Sequence, residues 1–483
     1  MNYHLVGVGG VGMSALAQLL LALGCRVSGS DRYYDQGREL DILKKLRSLG
    51  VMLVPQDGSG VADDTKAVVV SSAIENDNPD ISAASLKKIP LLHRAEMLAS
   101  LARDRECIAV TGTAGKSTVT GMIGWTLAGL GLDPTVVNGA AVLNWANGQN
   151  PGNFRFGRSN LWVLELDESD RSLLHFFPEW AVVTNISKDH FELAEVERLF
   201  ARFARQVKNE IIGPGFAKGS ADSPSRSAMA EHGASFDPLG RTGARRPEFN
   251  PSISGQGIEF NYKDIRFHLP LLGKHNAENA FQCVLLCDRL GLDLRLVAGA
   301  LEKFAGIERR LEVKGRAAGI TVIDDYAHNP AKIAAAWQAL APFYRRIIAV
   351  WRPHGYGPLA LMRRELTEVF AGLVRPQDRI IIMSVYFAGG TARKEVTARM
   401  LVEDMKRKSL PVCHAENYDE LLPILLKSAA AGDAVLLMGA RDPDLPVFVR
   451  GLVLKIHDFV VDRVPGAGGI AQEDKAAEKA EGD

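Results

Sequence analysis

Cysteine is scarce in this 483-residue chain: Cys25, Cys107, Cys283, Cys287 and Cys413 are all there is. The number is odd and no two are spaced as CxxC. That argues against a disulfide framework or a zinc site and leaves core thiols as the expectation. An excess of charge is missing too, because 57 Lys and Arg balance 57 Asp and Glu. Without a net field the chain is not drawn to nucleic acid or to an anionic membrane, and any anionic ligand has to be held by local features. No run of about 18 apolar residues occurs, so no membrane span is expected. Nor does a basic segment precede the first apolar run, Tyr3 to Val8, as it would in a secretion signal. The expectation is a cytoplasmic protein, where ATP is available. No short-period repeat is visible.

The composition is that of an ordinary globular protein, 47% apolar and 24% charged. At roughly 100–200 residues per domain, the length suggests about three. Residues 1–103 alternate short apolar runs (His4 to Val8, Arg26 to Gly29, Val51 to Val54, Ala67 to Val70) with helical periods (Met13 to Leu23, Leu40 to Leu49). Such alternation argues for a parallel, doubly wound sheet. Residues 104–308 repeat the scheme, with strands at Cys107 to Val110, Leu161 to Leu164 and Trp180 to Val183, and a helix at Ala277 to Leu290. Between Gly213 and Gly257 the chain is rich in Gly, Ser, Pro and Arg, which predicts loops and edge strands. Residues 309–465 predict parallel strands at Gly319 to Ile323, Arg346 to Val350, Arg379 to Met383 and Ala434 to Leu437, with helices at Pro330 to Leu340 and Leu359 to Val369. Residues 466–483 hold little to bury and predict a disordered tail.

Two glycine motifs carry the first chemical signal. Gly7-x-Gly9-x-x-Gly12 lies between a strand and a helix, where glycines let the backbone approach a pyrophosphate and the helix N-terminus supplies N–H donors. Asp31 follows the second strand, where an acid that binds ribose would sit. This motif alone does not separate a dinucleotide from a UDP-sugar. Thr111 to Thr118 reads TGTAGKST, again between strand and helix. The backbone from Gly112 to Gly115 could wrap phosphates, Lys116 could neutralise the β and γ oxygens, and Ser117 could ligate Mg2+. Val110 stands where the strict GxxxxGK[ST] pattern has its first glycine.

Strand ends supply the rest. Glu165, Asp167, Glu168 and Asp170 follow a buried strand and suit Mg2+, with a solvated acidic turn as the alternative. Thr184 to His190 follows the next strand, which makes His190 a candidate ligand for a second metal or the γ-phosphate. Asn276 and Asn279, three apart at a helix start, share a face and could hold one ligand; helix capping is the alternative. Arg309-Arg310 and Asp324 to Pro330 close the set: Asp325 could hold a ribose, and an aromatic or imidazole nearby could contact adenine.

In this order, from His4-Leu5-Val6-Gly7 through Arg94-Ala95-Glu96-Met97-Leu98 to Asp324-Pro330, the motifs resemble the Mur ligases, above all the branch that adds L-alanine to UDP-N-acetylmuramate. The resemblance covers residue 4 to about 450. It implies three α/β domains: an N-terminal Rossmann-like domain for the UDP-sugar, a central P-loop ATPase-like domain with a parallel sheet, and a C-terminal Rossmann-like domain for the amino acid. It implies ATP and Mg2+ as cofactors, small-molecule substrates, a monomer or homodimer, and a place in peptidoglycan precursor synthesis. The carboxylate would be activated as an acyl phosphate and attacked by the amine. Lys116, Glu165 and His190 would be catalytic, with Ser117, Glu165 and His190 on metal. ATP would meet Gly112, Thr113, Gly115, Lys116, Ser117, Thr118, Asn276, Asn279, Arg310, Asp325 and His328. The UDP-sugar would meet Gly9, Gly10, Gly12, Met13, Ser14, Asp31, Ser71 and Ser72.

The chain departs from the branch at Ala114, Asn329, Gly355 and Arg441, where the branch usually has His, His, Arg and Gly. A relative using another amino acid or a modified muramyl substrate is therefore a second expectation, and a non-catalytic homologue binding both nucleotides a third. A nicotinamide-dependent oxidoreductase, from the first motif and Asp31 alone, is the distant one.

Overall fold

The computed structural model describes residues 1–186, 193–213, 249–387 and 394–461. The chain divides into two compact units, Met1–Ser252 with Gly257–Glu308, and Ile253–Gln256 with Arg309–Asp483. The architecture is α/β, with parallel-rich sheets in both units.

The first unit carries two such sheets. One consists of β1 (Asn2–Val6), β2 (Arg26–Ser30), β3 (Met52–Val54), β4 (Thr65–Val70) and β5 (Leu91–His93), in the order β3-β2-β1-β4-β5 and all parallel. The strand order reverses at β1, and the crevice beyond such a reversal is where doubly wound sheets bind ligands. The glycine loop leaves β1 there and runs into the helix Val11–Ala22, buried from Met13 to Leu20.

A buried polar cluster ties this sheet together. His4 and Asp80 are fully buried, with His4 Nε2 3.3 Å from Asp80 Oδ2. Ser30 donates to Asp80 Oδ2 at 2.5 Å and Gly58 N to its Oδ1 at 2.9 Å. Burial pushes the Asp80 carboxyl up, but the His4, Ser30 and Gly58 contacts outweigh it and hold the group below the ordinary carboxylate range. The stability this contributes is present above the unfolded-state pKa of about 3.9 and is lost as the pH falls through the lower folded value. Asp80→Ala is expected to cost about 3–5 kcal/mol, because His4 and Ser30 lose their partner in a buried interior; denaturant unfolding measures it.

The other sheet consists of β6 (Glu106–Thr111), β7 (Thr135–Val137), β8 (Phe154–Arg155), β9 (Leu161–Glu165), β10 (Trp180–Val183) and β11 (Glu210–Ile212). Its order is β11-β10-β6-β9-β7-β8, parallel except for the β7–β8 edge. β6 is central, and its near-continuous apolar run is what a strand covered on both faces requires. The helix Lys116–Gly129 is buried over most of its length against the helices Lys274–Arg289 and Leu294–Leu301. Fully buried side chains such as Met122, Ile123 and Leu127 each contribute roughly 1.5–3 kcal/mol here. Asn153 joins the two sheets: it donates to Ser14 Oγ at 2.9 Å and Val11 O at 2.8 Å, and accepts from Gln18 Nε2 at 2.9 Å. An antiparallel pair, Ile258–Tyr262 with Ile265–Leu269, follows. Of the stretch read as loops and edge strands, residues 214–248 lie outside the described residues, as does the predicted tail.

The second unit holds one sheet. Its strands run in the order Glu312–Ala317, Ile320–Asp325, Asp433–Gly439, Arg346–Arg352, Arg379–Met383, Val412–Ala415. The four predicted strands are there and parallel. The first strand is an antiparallel edge that sequence reading did not anticipate. It joins its neighbour through Ala318 and Gly319, at φ 51° and 74°. Positive φ at both central residues is the hairpin geometry that Asn-Gly favours, and Ala-Gly conceals it.

Among the described residues no helix is long and apolar enough to cross a membrane. All five cysteines are free, with Cys107, Cys283 and Cys287 buried and Cys25 and Cys413 partly so.

Candidate functional site

The phosphate loop is built by three adjacent strand ends. Thr111 ends β6; Val183, its register partner, ends β10, and Glu165, which pairs with Val110, ends β9. The residues after β10 brace the loop. Thr184 Oγ1 donates to Ala114 O at 2.5 Å, and Asn185 both accepts from Ala114 N at 3.0 Å and donates to Ala114 O at 2.8 Å. Two glycines allow this closeness. Gly112 has φ 128°, and a Cβ there would lie 2.2 Å from Thr184 Oγ1 and 2.9 Å from Thr184 N. Gly115, at φ 85°, starts the helix and leaves 2.6 Å between an added Cβ and Asn279 Oδ1.

Lys116 curls back over this loop. Its ammonium donates to Gly112 O at 2.9 Å and to Glu168 Oε2 at 2.6 Å, with Asp167 Oδ1 3.7 Å away. Burial pulls the ammonium's pKa down, but Glu168, Asp167 and Glu165 together outweigh it and hold the group above the ordinary lysine value. Glu168 is itself almost inaccessible, and burial pushes its carboxyl up to about 7 against the pull of Lys116. Ser117 Oγ donates to Glu165 Oε1 at 3.1 Å, and Gly139 N to Glu165 Oε2 at 2.6 Å. A hydroxyl and a carboxylate thus stand side by side next to the lysine, the hard oxygen pair that a magnesium ion takes together with phosphates. Among the described residues no three His, Cys, Asp or Glu side chains converge as a metal cage.

Asn276 and Asn279 are buried on the face of their helix turned to the loop. Asn276 donates to Leu272 O at 2.8 Å and accepts from Asn279 Nδ2 at 3.2 Å, so Asn276 holds Asn279 against Gly115. Thr113 and Thr118 are buried in and behind the loop. His190 lies outside the described residues.

The first glycine loop closes on itself. Gly9 N donates to Asp31 Oδ2 at 3.0 Å, and Tyr33 N to Asp31 Oδ1 at 3.0 Å. Both carboxylate oxygens of Asp31 thus accept from the chain's own backbone, which gives the group a structural reason to be there without a ribose. Gly10 caps the following helix, where Met13 is buried and the Ser14 hydroxyl is engaged by Val11 O and Asn153. Ser71 and Ser72 follow β4 in a turn, and Ile74 of that turn reaches Gly7. One cation here belongs to a motif of the resemblance but had no role assigned from the sequence. Arg94 starts the helix after β5, and its Nε and Nη1 would lie 3.0 Å from a Cβ at Gly12, so the guanidinium rests on the loop.

In the second unit Asp325 is buried, accepting from Leu311 N at 2.7 Å and Ala327 N at 2.8 Å. Burial pushes its carboxyl up to about 6, against the pull of Arg310. Arg309 and Arg310 both lie over the Tyr326 ring, at 5.3 and 5.6 Å. His328 Nδ1 donates to Tyr326 O, 3.0 Å away, and burial pushes its pKa down to about 4, which leaves it neutral at physiological pH.

Comparison with known proteins shows the family. Three family models match in sequence order: the Mur ligase catalytic domain over residues 2–106, the Mur ligase middle domain over 110–287, and the Mur ligase glutamate ligase domain over 309–441. The UDP-N-acetylmuramate–L-alanine ligase of a Synechococcus strain is 35% identical over 451 residues, 91% of this chain and 90% of that protein. The chain belongs to the Mur ligase family. The protein of the same description from Anaeromyxobacter is 33% identical, covering 91% of this chain and 94% of its own length. The crystal structure of UDP-N-acetylmuramate–alanine ligase from Thermotoga maritima superposes with a TM-score of 0.75 at 26% identity, over 95% of this chain and 99% of that one.

As a Mur ligase the chain is an ATP-dependent ligase. Two contributors were not singled out from sequence. Glu168 sat inside the acidic cluster, but spacing could not say that it, rather than Glu165, bonds Lys116. Arg94 opened one of the motifs that carry the resemblance, Arg94 to Leu98, but nothing in the sequence gave it a role.

Proposed function

We propose that this Mur ligase uses ATP to phosphorylate the carboxylate of UDP-N-acetylmuramate and joins the acyl phosphate to the amine of an amino acid, L-alanine by preference. The supporting observation is Lys116, bonded at once to the Gly112 carbonyl and to Glu168 inside a loop whose next residue, Ser117, touches Glu165. A phosphoryl group entering the loop would take the place of the Glu168 carboxylate on the ammonium. Phosphoryl transfer needs little covalent help from the protein, so positioning and charge compensation carry it. Ser117 and Glu165 would hold Mg2+, with His190 as a further ligand. The ion would neutralise charge on the β and γ phosphates.

In this reading residues 1–103 bind the UDP-sugar, 104–308 the ATP and 309–465 the amino acid. Asn279 lies against the last glycine of the loop and Asn276 holds it there, so both serve the nucleotide; Arg310, Asp325 and His328 are assigned to it as well. Gly9, Gly10 and Gly12 give the diphosphate a backbone bed, closed by Asp31 and flanked by Ser71 and Ser72. Met13 and Ser14 act there by packing. Arg94 supplies the neighbouring positive charge. The site of action is the cytoplasm.

Phosphate release should occur only when ATP, UDP-N-acetylmuramate and an amino acid are all present. A screen of amino acids with release as readout tests the assignment, and no release with any of them overturns it. Arg94→Ala should raise KM for the UDP-sugar about tenfold or more, the worth of a charge-assisted phosphate contact, and leave KM for ATP unchanged; steady-state kinetics check both.

A further inference from the structure

The three central strands of the second unit end side by side. Asp325 pairs with Met438 and Gly439 with Arg352, all in parallel register. The segments that leave them, beginning at Tyr326, Ala440 and Pro353, therefore emerge along one edge, the edge where parallel sheets bind ligands.

The charges at this edge are unevenly committed. Asp442 is buried and fully used: Arg352 Nε lies 3.1 Å away, and Tyr418 and Asp444 N donate to it at 2.6 and 2.9 Å. Asp324 pairs with Arg309 at 3.2 Å, and Asp325 is held by two backbone N–H groups. Arg441, between Ala440 and Asp442, is exposed and has no ion pair among the described residues. It lies two residues past Gly439, as His354 lies two past the register partner Arg352, so the two stand on neighbouring strand ends; the His354 ring is edge-on to His328 with centroids 5.2 Å apart.

His354 carries a second sign. Its Nδ1 is buried and has no hydrogen-bond partner in the protein. Burial, then Arg441 and Lys332, push its pKa down to about 4, so the ring is neutral and offers one donor and one acceptor. Buried polar atoms are nearly always satisfied, and one left open beside an uncommitted guanidinium marks a place for a polar ligand. An Arg fork suits a carboxylate, which it can bind through two parallel N–H···O bonds.

We propose that Arg441 is a specificity-determining residue that grips the carboxylate of the incoming amino acid, with the open Nδ1 of His354 on the neighbouring strand end as a hydrogen-bonding partner. The proposal rests on the ligase reading above. It places the acceptor carboxylate on the strand end between those of His328 and His354, next to the strand end whose Asp325 and His328 are assigned to the nucleotide. Discrimination then falls on the acceptor's carboxylate group: an amino acid is taken and its amide is refused.

The test uses R441G, because Arg441 sits at φ 50°, a conformation glycine adopts freely, so the variant keeps the backbone as it is. Its melting temperature should be no lower than that of wild type. KM for the preferred amino acid should rise about 10- to 100-fold, the loss of one bidentate contact, while KM for ATP and for UDP-N-acetylmuramate stay within about twofold. Wild type should prefer L-alanine to L-alaninamide, and R441G should lose that preference. R441K should recover part of it. An unchanged KM for the amino acid, retained preference over the amide, or a rise in KM for ATP instead overturns the proposal. If wild type turns over and R441G matches it, only the role of Arg441 falls. If wild type releases no phosphate with any amino acid, the ligase reading falls and this role with it.

Discussion

Lys116→Ala is expected to reduce turnover by about three orders of magnitude or more, equivalent to roughly 4 kcal/mol of lost transition-state stabilisation. Among the described residues the ammonium is the cation placed inside the phosphate loop, bonded to Gly112 O and paired with Glu168. Phosphoryl transfer spreads negative charge over the moving group, and little else in the loop can answer it once the lysine is gone. The fold should survive. Glu168 would lose its partner, but its carboxyl already stands up at about 7 through burial, so it can take a proton and remain buried as a neutral acid. Lys116→Arg should not restore the rate, because a planar guanidinium is a poor substitute for a compact ammonium in so tight a loop. Single-turnover measurements with ATP and UDP-N-acetylmuramate, alongside thermal unfolding, separate the chemical effect from a structural one. Turnover within tenfold of wild type would remove Lys116 from the mechanism.

Gly112→Ala is expected to be nearly as damaging by another route, a loss of about 100-fold in turnover with a stability cost of about 1–3 kcal/mol. Gly112 holds φ 128°, which L side chains avoid, and the new methyl would press on Thr184 Oγ1 at 2.2 Å and on two backbone nitrogens near 3 Å. Those atoms cannot yield cheaply, because Thr184 also donates to Ala114 O and Thr111 O, and Gln282 donates to Thr184 O at 2.7 Å. The loop must therefore swing away from β10, carrying with it the carbonyl that Lys116 bonds. Nucleotide affinity should fall while UDP-sugar affinity holds, because the first glycine loop belongs to a different sheet. Titration calorimetry with each nucleotide checks this; equal loss for both would mean general unfolding.

Much of this architecture was legible in the sequence because parallel sheets write themselves plainly. Cys107 to Val110 and Trp180 to Val183 are short apolar runs; the first became β6, one residue longer at each end, and the second became β10 with its ends unchanged. Edges were harder. β8 is two residues long, and the antiparallel strand Glu312–Ala317 alternates weakly and turns on an Ala-Gly pair. Spacing also does not show which backbone groups a side chain already serves. Asp31 stands where a ribose-binding acid would, but two backbone N–H groups occupy its oxygens. Ser14 follows the glycine loop, yet its hydroxyl is spent on Val11 and Asn153.

By itself the sequence determined the strand and helix order, the two glycine loops and the residue types able to handle phosphate, because these depend on local backbone freedom and on periodicity. Only the tertiary structure decided which carboxylate meets Lys116, that Arg94 rests on Gly12, and that Arg441 stands uncommitted beside His354. Those facts depend on parallel register between strands far apart in the chain, and on which neighbours have already satisfied a given charge. A linear string does not carry that information, since each residue's hydrogen-bonding capacity is claimed only when the strand ends are brought side by side.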